Sequence, residues 1–116
     1  MSGYEGPPAQ LAYYERLIDS TPGIVRKGVT LPYTSRNGHM FSFLDASGSM
    51  AMRLPPDARQ DFIARYESSL AVQHGHTMKE YVVVPVSLLE RTNELAPWLA
   101  RSHDWIGTLK PKSTSR

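Results

Sequence analysis

His39-Met40-Phe41-Ser42-Phe43-Leu44, then Asp45-Ala46-Ser47-Gly48, then Ser49-Met50-Ala51-Met52-Arg53-Leu54, is the stretch on which the fold turns. Successive side chains of an extended chain point to opposite sides. The first run is therefore read as a strand with Phe41 and Phe43 on one face and Met40, Ser42 and Leu44 on the other. Met50, Met52 and Leu54 alternate with Ala51 and Arg53, the period-2 pattern of a second strand. A short Gly-containing turn joins them, so the pair forms a hairpin and the sheet is antiparallel.

Upstream, Met1 to Gly6 reads as a loose leader. Pro7 and Pro8 suit the start of a helix, where a missing N–H costs nothing. Leu11, Tyr14, Leu17 and Ile18 give that helix one apolar stripe, and Thr21-Pro22-Gly23 ends it. Ile24 to Leu31 has the β-branched content of a strand, with Gly28 marking a bulge or close approach. Pro32 to Gly38 reads as a loop, reversed at Arg36-Asn37-Gly38 because Asn-Gly tolerates positive φ.

Downstream, Pro55-Pro56-Asp57 opens a helix whose buried stripe is Ala58, Phe62, Ile63 and Tyr66, with Arg59, Asp61, Arg65 and Glu67 facing water. Leu70 to Gln73 is a short strand or a loop before Gly75. Tyr81 to Val84 is apolar on both alternating faces, as for a strand covered on both sides. A turn around Pro85 to Glu90 leads to a last helix carrying Leu95, Trp98, Leu99, Ser102, Ile106 and Leu109. Pro97 belongs in a first turn, which places that helix's start between Asn93 and Ala96. Lys110 to Arg116 is a basic tail. The expected architecture is a single α+β domain over 1–116, an antiparallel sheet flanked by helices in the order α-β-β-β-α-(β)-β-α, with 1–7 and 110–116 as flexible tails.

The 116 residues make one ordinary domain, and 41% hydrophobic with 21% charged content is that of a globular chain. Cysteine is absent, which excludes disulfides, thiolate nucleophiles and sulfur-based zinc sites. No secretory-signal pattern opens the sequence and no stretch of about 18 apolar residues occurs, so a cytoplasmic location without membrane attachment is expected. Thirteen basic against eleven acidic side chains is near balance, unlike dedicated nucleic-acid binders.

His74-x-His76 has metal-like spacing, but two imidazoles beside a glycine turn do not make a zinc site, which needs three protein ligands. Ser47-Gly48-Ser49 lacks the nucleophile-elbow pattern and lies between two strands. No phosphate-cradling glycine motif occurs. Asp57 and Asp61 lie four apart on a wet helix face beside Arg65. No catalytic residue, cofactor or metal is therefore expected. Arg26, Lys27, Arg53 and Lys79 lie on or beside neighbouring strands and could converge to bind an anion or a partner, or each could be a solvated or snorkelling side chain.

Three stretches carry a family resemblance: Gly38-His39-Met40-Phe41-Ser42-Phe43-Leu44, Met52-Arg53-Leu54-Pro55, and Met78-Lys79-Glu80-Tyr81-Val82-Val83-Val84-Pro85. With a leading helix and a closing Trp-containing helix, their order resembles that of the TfoX/Sxy N-terminal-domain-like proteins over about residues 9 to 112. The resemblance implies a secretion-chaperone-like antiparallel sheet with flanking helices and a bacterial source. Named members of that family regulate natural competence, and no enzyme reaction is established for it. Two features depart from the family pattern. Arg26-Lys27-Gly28-Val29-Thr30 and a longer Pro32-Tyr33-Thr34-Ser35 loop replace the usual Lys-Met-Phe-Gly-Gly, and the regulators' separate C-terminal domain has no counterpart in these 116 residues.

The leading expectation is thus a non-enzymatic binding or regulatory module working through contact with an unknown protein partner or as a homodimer. The alternatives are a weak DNA-binding accessory protein using Arg26, Lys27, Arg53, Lys79 and the tail, and a small-molecule enzyme with His39, His74 or His76 as acid–base.

Overall fold

Helix formation begins where the prolines allow it. Pro7 is extended and Pro8 opens α1, Pro8–Asp19, which the hydroxyls of Ser20 and Thr21 close by donating back to the Leu17 carbonyl at 2.7 and 2.9 Å. The computed structural model describes residues 3–111. Met1, Ser2 and the end of the basic tail from 112 onward lie outside the described residues. Within the leader, Tyr4 departs from the expected looseness: it is buried, and its hydroxyl donates to the Asp45 carbonyl at 2.9 Å.

Five strands follow: β1 Tyr33–Arg36, β2 His39–Leu44, β3 Met50–Arg53, β4 Leu70–Gln73 and β5 His76–Val84. They form one sheet in the order β1-β2-β3-β5-β4, with every neighbouring pair antiparallel. Between β3 and β4 runs α2, Pro56–Tyr66, and after β5 come a single turn α3, Val86–Leu89, and α4, Thr92–Ile106. The α+β class, the antiparallel hairpin of β2 and β3 and the broad element order are as the sequence implies. Leu70 to Gln73 resolves as a strand.

The first strand is a correction. Ile24 to Leu31 does not pair along its length; Lys27 alone makes a bridge, to Tyr33. Gly28 explains this. Its φ is +81, and a Cβ there would lie 2.3 Å from the Leu31 carbonyl oxygen, so the chain doubles back too tightly for an extended run. The true first strand lies in Tyr33 to Arg36, within the segment read as a loop. The reversal after it is as expected: Asn37 and Gly38 both have positive φ, the two-residue turn that suits the twist of a hairpin.

The faces of β2 are a second correction. Thr34 pairs with Ser42 and Ser35 with Met40, leaving Phe41 as an unpaired bulge residue. Phe41 therefore shares a side with Ser42 and Leu44, while Met40 and Phe43 occupy the opposite side. The last helix starts at Thr92, one residue earlier than expected, so Pro97 falls inside it. The missing N–H leaves the carbonyl of exposed Asn93 to water.

Each of α1 to α4 contributes buried side chains to one core on one side of the sheet, with Tyr14, Leu17, Phe62, Leu88, Leu95 and Leu99 fully buried. Met50, Met52, Leu54, Val82 and Val84 face them from the strands. A chain of hydroxyls pins α1 down: Tyr14 Oη to Ser42 Oγ at 2.7 Å and Ser42 Oγ to Thr34 Oγ1 at 2.6 Å, all buried. Burial drives the Tyr14 hydroxyl's pKa well up against the pull of those bonds.

Candidate functional site

The second face of the sheet carries a separate apolar cluster built from strand residues alone. Phe43, Ala51 and Ala71 are buried in it, and Tyr33, Met40, Met78, Tyr81 and Val83 are partly buried around them. No helix residue joins this cluster among the described residues. A solvated antiparallel face would alternate to polar residues here. Tyr81 and Val83 on β5 and Phe43 on β2 break that rule.

This face is concave. On a flat sheet the three strand spacings from β2 to β4 would measure about 14 Å. Gln73 at the end of β4 nevertheless donates to Asp45 just past β2, Nε2 to Oδ2, at 3.2 Å. The sheet must curl toward its uncovered side for these side chains to meet. The result is a groove of about 360 Å³ lined by Leu31, Tyr33, Met40, Phe43 and Met78, with Asp45, Gln73 and His74 at its polar rim.

The rim is held by the turn chemistry. Asp45 Oδ1 accepts from the Ser47 and Ser49 amides at 3.0 Å each and from Ser47 Oγ at 2.6 Å. Partial burial raises the Asp45 pKa, but these bonds and Gln73 outweigh it, and the carboxyl stays ionised below the usual range. On the same sheet face, the Tyr81 hydroxyl donates to the Met40 carbonyl at 2.6 Å, and burial pushes its pKa up to about 12. Leu31 at the groove is exposed, and the 24–31 segment leading to it also leaves Val25 and Val29 exposed, Val29 at 71%.

The four basic residues singled out by sequence have separate local partners or none in common. Arg26 pairs with Glu15 of α1 at 3.3 Å, and its buried Nε has no hydrogen-bond partner. Lys27 Nζ donates to Ser35 Oγ at 2.7 Å. Arg53 is held by Glu80 and lies over the Trp105 ring, 5.5 Å from its centroid. Lys79 is exposed on β5. Arg26 and Lys27 lie at the β1 edge and Arg53 and Lys79 on β3 and β5, with β2 between.

The histidines are likewise dispersed. His74 has positive φ in the β4–β5 turn and His76 begins β5, both exposed. His39 Nε2 donates to the Lys110 carbonyl at 2.8 Å, tying β2 to the chain beyond α4. Among the described residues no group of three or more His, Asp or Glu is placed to hold a metal, and no helix is long and apolar enough to cross a membrane.

The groove is not legible in the sequence because the pattern places Tyr33 in a loop and Phe43 on the same face as Phe41. The signal that could have found it was present in Tyr81 to Val84, whose two apolar faces demand two coverings. No protein family, no curated protein and no solved structure matches this chain.

Proposed function

We propose that this chain is a non-enzymatic binding module that works through protein–protein contact, with a second copy of itself seated in the concave sheet face. The observation that carries the reading is that uncovered face, lined by Met40, Met78, Tyr33 and Phe43 where water would favour polar side chains. Flexible thioethers beside rigid rings adapt to an inserted apolar side chain. A two-fold dimer needs a patch complementary to itself. This surface has both halves: an apolar groove, and at its edge the exposed Leu31, with exposed Val29 two residues before it in the chain, for a mate to receive. The order of motifs suggests that the module is TfoX/Sxy N-terminal-domain-like, and a regulatory role in the cytoplasm fits that resemblance.

Sedimentation velocity on the full chain tests this. A dimer is expected at about 100 μM, an affinity of only moderate interface strength. Val29→Asp with Leu31→Asp should give a monomer with an unchanged circular dichroism spectrum, since both side chains are exposed. A wild-type chain that stays monomeric at that concentration would remove the second copy as the occupant.

A further inference from the structure

On the helical side, away from the sheet groove, α2 and α4 enclose a notch of about 350 Å³ lined by Arg65, Tyr66, Glu94, Pro97, Trp98 and Arg101. Its aromatic wall is held rigidly from behind. Trp98 meets buried Phe62 edge-on, ring centroids 5.2 Å apart at 89°, and Tyr66 packs on Phe62 at 4.8 Å. A hydrogen-bond relay fixes the two outer rings: Trp98 Nε1 donates to Tyr66 Oη at 3.3 Å, and Tyr66 Oη donates to Glu94 Oε2 at 2.8 Å. Both outer rings remain half-buried, so each keeps an accessible part.

The charges around this wall are unequal. Glu94 is occupied, one oxygen by the Tyr66 hydroxyl and the other by Arg91 at 3.0 Å. Arg65 and Arg101 form no ion pair among the described residues, and both are exposed. Arg65 lies over the Tyr66 ring, 5.6 Å from its centroid. Arg101, without an ion pair, and Arg65, held only by the Tyr66 ring, thus flank an ordered indole and phenol, one from each helix. Guanidinium groups bind carboxylate and phosphate through paired N–H donors, and ring faces bind ring faces.

We propose that this notch binds a small planar anion, an aromatic ring bearing a phosphate or carboxylate, with Trp98 and Tyr66 as the stacking wall and Arg65 and Arg101 as the anion clamp. The volume suits one ring and one anionic group, at the small end of ligand pockets. The ring selects through contact with the wall, and the anion selects through charge. Neither half alone supplies the affinity of both.

Titration of the full, ¹⁵N-labelled chain with phenyl phosphate, benzoate, benzyl alcohol and inorganic phosphate tests this, read at the tryptophan indole N–H resonances. Phenyl phosphate or benzoate should shift the Trp98 resonance saturably and leave that of Trp105 in place; which of the two binds more tightly assigns the anionic group. Benzyl alcohol and inorganic phosphate should each bind at least about tenfold more weakly, having lost one of the two contacts. Arg65→Gln with Arg101→Gln should weaken binding by at least about tenfold, the loss expected for charge-assisted hydrogen bonds. These side chains are exposed, so the amide spectrum should otherwise keep its dispersion. No saturable Trp98 shift with either aromatic anion, equal binding of inorganic phosphate, or binding unchanged in the double variant would each overturn the proposal.

Discussion

Arg53 meets Glu80 through a single carboxylate oxygen, with Nε 2.6 Å and Nη2 2.5 Å from Oε1. The pair ties β3 to β5, and the Arg53 side chain is one-fifth exposed while that of Glu80 is 41% exposed. Solvent screening at that exposure holds such a pair to about 0–1 kcal/mol. A double-mutant cycle of Arg53→Ala and Glu80→Ala in urea should give coupling within that range, shrinking at high salt. Because Arg53 is already engaged, random duplex DNA should bind no tighter than about 10 μM at ~150 mM salt, within the non-specific range. A gel-shift titration showing submicromolar binding lost in Arg53→Ala would refute this.

Ser42 is the middle hydroxyl of three, and that position sets the cost of losing it. Tyr14→Phe removes one end and leaves Ser42 bonded to Thr34, so it should cost about 1 kcal/mol. Ser42→Ala takes the bonded partner from both Tyr14 and Thr34, which lie near enough to interact with each other, and should cost about 2–3 kcal/mol, the upper part of the range for a buried polar group losing its partner. Equal losses for the two variants in denaturant unfolding would contradict the observed order Tyr14–Ser42–Thr34.

Phe62 has no exposed surface and contacts both Tyr66 and Trp98. Phe62→Ala should lower stability by about 3–5 kcal/mol through lost burial and the cavity left behind. A loss below about 1 kcal/mol would show that α2 does not pack as described.

His103 protonates at lower pH in the folded chain than its ordinary 6.5, first because burial disfavours the cation and then because Arg36 repels it, against a smaller opposite pull from Asp104. Arg36 Nη1 lies 3.3 Å from Nδ1 and donates to it, which requires that nitrogen to be unprotonated. In the window just below pH 6.5 the unfolded chain binds more protons than the folded one, so stability rises with pH there. The contribution is complete above the unfolded value and is lost as pH falls through the window toward the lowered folded value. His103→Gln should flatten this part of the stability–pH curve, measured by urea midpoints at successive pH values. An unchanged slope would mean that another group carries it.

Patterns with one dominant cause were legible. β3 alternates cleanly because Met50, Met52 and Leu54 all serve one core, and the turn at Asn37-Gly38 is fixed by backbone conformation alone. Where two causes compete, the sequence misleads. Val25, Val29 and Leu31 carry strand propensity, yet Gly28 folds that segment back on itself and leaves all three exposed. Thr34 and Ser35 read as loop residues, although Thr34 is fully buried because its hydroxyl is matched across the strands by Ser42. The groove needs a long-range fact, the meeting of Gln73 with Asp45, that no local window contains. The notch depends in the same way on Tyr66 of α2 meeting Trp98 of α4, although the spacing puts each ring on its own helix's apolar stripe.

Without residue 41, β2 would be a regular strand: His39 inward, Met40 outward, Ser42 inward, Phe43 outward, Leu44 inward, each already on its present side. Phe41 is therefore supernumerary, and the gene could lose this one codon without turning any other side chain of the hairpin inside out. The protein would forfeit a fully buried core side chain and its ring contact with His103, 5.6 Å between centroids, and gain a straighter hairpin above a cavity. Losing the codon on either side has other consequences. Deleting Met40 would carry Phe41 outward into the groove, and deleting Ser42 would set a phenyl ring against the hydroxyls of Tyr14 and Thr34.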